Sequence, residues 1–232
     1  MAPRSERIFV AGLAAAALTL SPALAASGGA DVPFETASVR FEQNATDGDV
    51  EVVFEIKGGD EGLTKLVVVA PDGRTIADFT APDASTLGIR QFEIESPEPR
   101  DVATLKAAYP EGAYTFSGAT VSGEALRGTA RLSHALPATV SSLRPGDEDE
   151  VSAEDPRISW APRDDVAAWI VEIEQDELGV NLTATLPGSA TSFVVPDGFL
   201  RPGTGYDLGI GAVAAGGNIS YVEISFTTTD KE

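Results

Sequence analysis

Apolar and polar residues alternate with period two along most of this 232-residue chain, which is the mark of half-buried strands. In Val50 to Lys57, the side chains of Val52, Phe54 and Ile56 share one face, and Glu51, Glu55 and Lys57 share the other. Ala37 to Gln43 precedes it as a strand, and Leu66 to Ala70 is a short apolar run. Pro71-Asp72-Gly73 predicts a turn, with proline fixing φ and glycine accepting positive φ. Thr75 to Thr80 then returns antiparallel, and Gln91 to Ser96 alternates again with Phe92 and Ile94 inward. Helical spacing occurs once, at Val102, Leu105 and Tyr109, with Asp101 as N-cap and Pro110 as stop. Tyr114 to Ser117 and Thr129 to Ser133 close this half.

Beyond Leu136-Pro137-Ala138-Thr139, which reads as a hinge, the strands come at short intervals separated by turn residues. Ile158 and Trp160 point inward, then Trp169, Val171 and Ile173, then Val180, Leu182, Ala184 and Leu186. Phe193 and Val195 follow, then Tyr206, Leu208, Ile210 and Ala212, and Val222, Ile224 and Phe226 end the pattern. Gly216-Gly217-Asn218 is hairpin-turn chemistry ahead of that last strand. Short strands at regular spacing predict an all-β chain of two tandem immunoglobulin-like β-sandwiches, with one short helix in the first.

Ile158-Ser159-Trp160, Trp169-Ile170-Val171-Glu172-Ile173, Leu200-Arg201-Pro202-Gly203-Thr204-Gly205-Tyr206 and Phe226-Thr227-Thr228 together resemble a fibronectin type III domain over residues 137–232. The resemblance implies that Leu200 and Tyr206 form a corner pinning a loop to the sheet, with the tyrosine hydroxyl bonded to nearby backbone. Trp169 stands where that family usually has tyrosine. The first half, residues 26–136, resembles no family in particular. The whole layout looks like that of secreted bacterial proteins that carry one such domain after an all-β partner. Family likeness of this kind implies a binding or spacing role and names no ligand.

Residues 1–25 read as a secretory signal peptide: Arg4 and Arg7 lead, Ile8 to Leu20 is apolar, and Ala23-Leu24-Ala25 is a cleavage site. The expected location is therefore secreted or periplasmic. The absence of cysteine excludes disulfides, thiolate metal sites and thiol nucleophiles. The net charge of −20 repels phosphate backbones and anionic lipid, so neither nucleic acid nor membrane insertion after cleavage is expected. It favours basic partners. Arginine outnumbers lysine 12 to 4, a bias of GC-rich bacterial genomes. Sequons at Asn44, Asn181 and Asn218 would matter only in a eukaryotic secretory pathway.

Candidate chemistry is sparse. His134 alone cannot build a metal site or, without a partnered nucleophile, a triad. Ser117 and Ser122 lie near it in sequence, outside any Gly-x-Ser-x-Gly elbow. The acidic run offers calcium candidates in Asp147, Asp149 and Glu150, since hard cations take carboxylate oxygens. The run lacks the spacing and turn glycine of a calcium loop and reads mainly as solvated charge. Asp164-Asp165 and Asp176-Glu177 would reinforce a metal site if these loops met at one pole. Glu172 and Glu174 read as an exposed sheet face. No catalytic or cofactor-binding residue is expected, and the chain reads as a non-catalytic binding protein with a protein partner. Alternatives are a structural spacer, a polysaccharide-binding protein needing exposed Tyr109, Phe199 or Tyr221, and a hydrolase whose interdomain groove gathers carboxylates and His134.

Overall fold

The computed structural model describes residues 32–81, 88–154 and 156–229. Residues 1–25, where a signal peptide is expected, lie outside the described residues. The alternating stretches become strands: β1 (Val32–Pro33), β2 (Thr36–Asn44), β3 (Val50–Lys57), β4 (Leu63–Val69), β5 (Thr75–Thr80), β6 (Gln91–Glu95), β7 (Gly112–Thr120) and β8 (Ala125–Leu132) in the first half. Between β6 and β7 lies α1 (Val102–Ala108). The second half supplies β9 (Glu150–Val151), β10 (Arg157–Ser159), β11 (Ala168–Gln175), β12 (Val180–Pro187), β13 (Ser192–Val194), β14 (Gly205–Val213) and β15 (Ile219–Thr228).

In the first half, one sheet runs β1-β8-β7-β4-β5 and packs against β2, β3 and β6. The inward residues of the alternation meet between the layers: Phe41, Val52, Phe54 and Ile56 from one side, Leu66, Val68, Tyr114 and Phe116 from the other. Leu105 of α1 adds to this core. The helix begins where the Asp101 carboxylate accepts the Thr104 N–H at 2.7 Å, which satisfies one of the orphan amides of a helix start. Gly73 sits at φ +85 in the β4–β5 turn, a conformation that costs glycine little.

β8 starts four residues earlier than its apolar pattern indicates. Gly128 interrupts the alternation because Ala37 crowds it: a Cβ there would come within 2.9 Å of the Ala37 methyl. A strand can pass close beneath another element only where it carries no side chain.

The second half pairs β12-β11-β14-β15 against the short sheet β10-β13. Trp160 and Trp169 fill its core with ring centroids 5.4 Å apart. Each indole N–H is satisfied, donating at 3.0 Å to the Ala190 and Gly188 carbonyls respectively. The expected corner is present. Leu200 and Tyr206 are buried, and the Tyr206 hydroxyl accepts the Arg201 N–H at 2.8 Å. The fold class is all-β, sandwich upon sandwich, as the alternation predicts.

One feature of the topology is not written in the alternation. The larger sheet does not stop at the end of a sandwich. It runs β12-β11-β14-β15-β2-β3-β6 through both halves. β15 joins β2 in parallel, with Ile219, Ser220 and Tyr221 opposite Glu42, Gln43 and Asn44. Two edges that would otherwise offer unpaired backbone groups close on one another.

Candidate functional site

Side-chain and backbone hydrogen bonds converge on the seam between β15 and β2. Asn218 immediately precedes β15 and is only 3% exposed. Its side-chain oxygen accepts the Phe41 N–H at 2.9 Å. Its amide nitrogen donates to the Ser133 carbonyl at 2.7 Å and the Ala135 carbonyl at 3.0 Å. One side chain thus ties β15, β2 and the connecting segment. Ser220 donates to the Pro137 carbonyl at 2.6 Å and accepts from the Gln43 amide at 2.9 Å. Ala45 N–H reaches the Tyr221 carbonyl at 2.9 Å, and Thr46 exchanges hydrogen bonds with the Glu223 backbone at 2.7 and 3.1 Å. The chain order explains the Asn218 contacts. The connecting segment must cross the sheet end, and its carbonyls need donors there.

On the outer face of this seam the strand register gathers carboxylates. Glu42 and Glu51 stand directly opposite each other on β2 and β3. Glu42 also neighbours Ile219 of β15. Across β15 and β14, Glu172 of β11 is 3% exposed and lies above Gly209. Tyr221, 8% exposed, lays its ring over Gly211, where a Cβ would come within 2.7 Å of Tyr221 Cε1. The two glycines form a trough in β14 that the phenol and the carboxylate occupy. Among the described residues, neither Glu172 Oε1 nor the Tyr221 hydroxyl has a hydrogen-bond partner.

Positive charge is scarce beside this group. Arg40 is buried, bonds Glu42 through Nε, and lies 3.9 Å from Glu55. Lys57 pairs with Glu55 at 2.8 Å. Burial works against the Arg40 charge, but Glu42 and then Glu55 outweigh it, and its proton is held more firmly than usual. Burial pushes the Glu51 carboxyl up to about 8, with repulsion from Glu42, Glu95 and Asp49 adding to it and Arg40 offsetting a little. Burial likewise raises Glu172 to about 7, helped by Glu174, Glu42 and Glu223. Glu223 is raised by burial, against an opposing contribution from the Asn44 side chain. Burial, with Glu42 and Glu172 nearby, lifts Tyr221 well above the ordinary phenol.

The residues singled out in the sequence fall elsewhere or fall differently. Glu172 is buried rather than on an open sheet face, because the glycines of β14 let it lie flat and Tyr221 covers its flank. Asn218, read as turn chemistry, is a buried cross-link. His134 sits on the other side of the sheet from the carboxylates. Its Nε2 is 2.7 Å from the Tyr109 carbonyl, its ring centroid is 5.6 Å from that of Phe41, and its N–H donates to Glu111 at 2.6 Å. Ser122 bonds Thr120 and Glu61, away from His134.

Among the calcium candidates, Asp147 accepts the Ser225 N–H at 3.0 Å and Asp149 accepts the Gly146 N–H at 2.7 Å. Glu150 begins β9, which pairs with the end of β15. These carboxylates therefore shape a loop against β15. Asp165 pairs with Arg163 at 2.6 Å. Among the described residues no three acidic or histidine side chains converge as a metal would require.

Nothing in the sequence reading brought Arg40, Glu42, Glu51 and Tyr221 together. The available signal was the spacing of Arg40 and Glu42, charged residues on one face of a strand whose other face is core. Their partners lie about 180 residues away, in β15, and only pairing reveals them.

No family model matches the chain, and no curated protein matches it. Among solved structures, it is similar to the FN1–FN3 domains of chicken CNTN1, at 11% identity and a TM-score of 0.38, covering 87% of this chain and 65% of that one. It is also similar to a segment of two fibronectin type III domains from chicken tenascin, at 15% identity and a TM-score of 0.32, covering 84% of this chain and 99% of that one.

Proposed function

We propose that this chain is a secreted or periplasmic, non-catalytic interaction protein that makes protein–protein contacts in the cell envelope or the surrounding medium. The observation that carries this reading is the continuous sheet: two sandwiches joined strand to strand present their loops and outer faces in one fixed relation. A fixed relation lowers the ordering cost of binding a partner across both halves. The net charge of −20 selects basic surfaces and speeds their approach. Secretion rests on the signal-like residues 1–25.

Sugar recognition needs aromatic faces open to solvent. Tyr109 and Phe199 are half-buried and Tyr221 is buried. Among the described residues the exposed large hydrophobics are Ile89, Val102, Val121, Leu178 and Val194, none of them aromatic. This favours a protein partner over a polysaccharide. Calcium at the Asp147–Glu150 loop stays a secondary proposal, since it would have to draw Asp147 and Asp149 away from backbone amides.

The test is a pull-down from the native envelope and secreted fractions, with and without calcium and at two salt concentrations. The reading expects a specific protein retained at moderate salt. Glycan capture would transfer the function to sugar binding, loss on chelation would establish the calcium site, and salt-labile basic proteins alone would leave an acidic spacer.

A further inference from the structure

We propose that the free edge of β12 is a docking site for an extended segment of a basic partner protein. The segment adds to the larger sheet as a further strand, with lysine or arginine on its outer face and apolar residues on its inner face. Its owner is the protein partner proposed above, so this site rests on that reading and gives the partner its surface.

Among the described residues, the two main sheets end at four edge strands, β12 and β6 in one and β1 and β5 in the other. An unpaired edge offers a row of backbone N–H and C=O groups to other strands, and proteins ordinarily blunt it with charge, brevity or a bulge. Three of these edges are blunted. β6 carries Glu93 and Glu95 within five residues. β1 is two residues long and ends in Pro33. β5 carries Asp78, and a bulge at Val68 and Val69 breaks its pairing with β4. β12 runs for eight residues without a charged side chain, and proline comes only at its last position. Its pairing with β11 is one-to-one, from Ala168 opposite Pro187 to Gln175 opposite Val180.

The sheet beside this edge selects the occupant by charge. β11, β12, β14 and β15 contain no lysine or arginine, and their charged residues are Glu172, Glu174, Asp207 and Glu223. Register sets these in two rows that run out to β12: Asp207, Glu174, Asn181 in one, and Glu223, Gly209, Glu172, Thr183 in the other. Glu172 is buried, whereas Glu174, Asp207 and Glu223 are half-exposed. The Glu174 carboxylate leans toward the edge, where it accepts from the Asn181 amide. A strand added beside β12 would lie two strand spacings, about 10 Å, from β11. A lysine or arginine opposite Asn181 and the Glu174 side chain span that gap between them, with Asp207 behind in the same row. On the inner face, Leu182 and Leu186 pack against the second core and stay half-exposed. Apolar residues at the alternate positions of the added strand would cover them. Main-chain pairing supplies affinity in such a union, and the alternating side chains supply selectivity. A second copy of this chain would bring no cation to the acidic row, since its own β12 has none.

The test uses the full chain and three labelled peptides of about ten residues, long enough to line β12: lysine alternating with valine, the same residues in two blocks, and glutamate alternating with valine. Fluorescence anisotropy at physiological salt should show the alternating lysine peptide binding about tenfold more tightly than the block peptide, and the glutamate peptide not at all. Hydrogen exchange in the complex should slow in β12 and stay unchanged in β6. Thr183→Lys with Thr185→Lys, both at exposed positions, should abolish binding while the near-ultraviolet dichroism of the tryptophans is unchanged. Equal affinity for the block peptide, protection away from β12, binding that survives in the lysine variant, or no binding of any peptide would overturn the proposal. So would a dimer of the unaltered chain in sedimentation that the lysine variant abolishes, because the edge would then belong to a second copy. The same variant separates this site from the function on which it rests. A native partner retained equally by the variant would leave the interaction protein standing and remove β12 as its site. Capture of no protein by the unaltered chain would remove that function, and the peptides would still decide the edge.

Discussion

At the scale of single residues, Asn218 does the most. It satisfies one amide and two carbonyls from two other segments. Asn218→Ala leaves all three without that partner in a buried setting, where each orphaned group costs about 1–3 kcal/mol. Urea unfolding should show a loss of about 3 kcal/mol, at the low end of the summed costs because water can reach some of these groups. Tyr206→Phe is a gentler probe. It keeps the ring in the second core and removes only the acceptor for the Arg201 N–H, so a loss of about 1 kcal/mol is expected in the same assay.

The residue scale also sets the pH dependence. Glu51 and Glu172 have folded-state values raised above the ordinary 4.5, to about 8 and about 7. The folded state therefore binds more protons than the unfolded one, and stability must fall as pH rises. The contribution is full below about 4.5, diminishes through the interval up to about 7–8, and is absent above it. Asp72, Asp101, Glu111 and Asp165 are lowered by hydrogen bonds. They act in the opposite sense and matter only at acid pH, and their exposure keeps them small. Thermal melts should give a higher Tm at about pH 5.5 than at about pH 9, with Glu51→Gln flattening that difference. A Tm that rises toward alkaline pH would contradict the burial of these carboxyls.

At the scale of elements, α1 depends on its cap. Asp101 accepts both the Thr104 N–H and its hydroxyl, at 2.7 and 2.8 Å. With seven residues the helix is too short to persist alone, and it is held by this cap and by Leu105 in the first core. Asp101→Ala should lower stability by about 1 kcal/mol in urea unfolding. Helix α1 was legible from spacing, cap and proline together. β8 was legible only in its second half, because Gly128 answers to Ala37 and not to the local pattern. β11 and β14 were legible in their inward faces. Their outward faces were not, since Glu172 is polar in sequence and buried only because glycines stand opposite it.

At the scale of the whole molecule, the pairing of β15 with β2 predicts that the two cores unfold as one cooperative unit. Both tryptophans lie in the second half, so their fluorescence follows that sandwich while far-ultraviolet dichroism follows all the strands. At about pH 6 the two urea transitions should coincide, as two-state unfolding requires. In Asn218→Ala they should separate. Separate transitions in the unaltered chain would mean that the pairing of β15 with β2 adds little coupling.

The sequence by itself determined the class, the longer strands and the inward faces that make the cores. Period two is a local property: each inward Val, Ile, Phe or Trp reports its own face whatever its partner. The corner of Leu200 and Tyr206 was implied by the resemblance to a fibronectin type III domain, and both residues are buried, with the tyrosine hydroxyl accepting the Arg201 N–H. Only the tertiary structure decided that β15 would lie against β2. That pairing joins residues about 180 positions apart, through backbone groups that every residue carries and no pattern marks. Glu42 and Tyr221 stand at that pairing, polar positions on outward faces in sequence and buried in the structure, while Glu172 is covered inside the second half by the glycines of β14 and the ring of Tyr221. In each case a polar position leaves water only because a strand distant in sequence lies beside it.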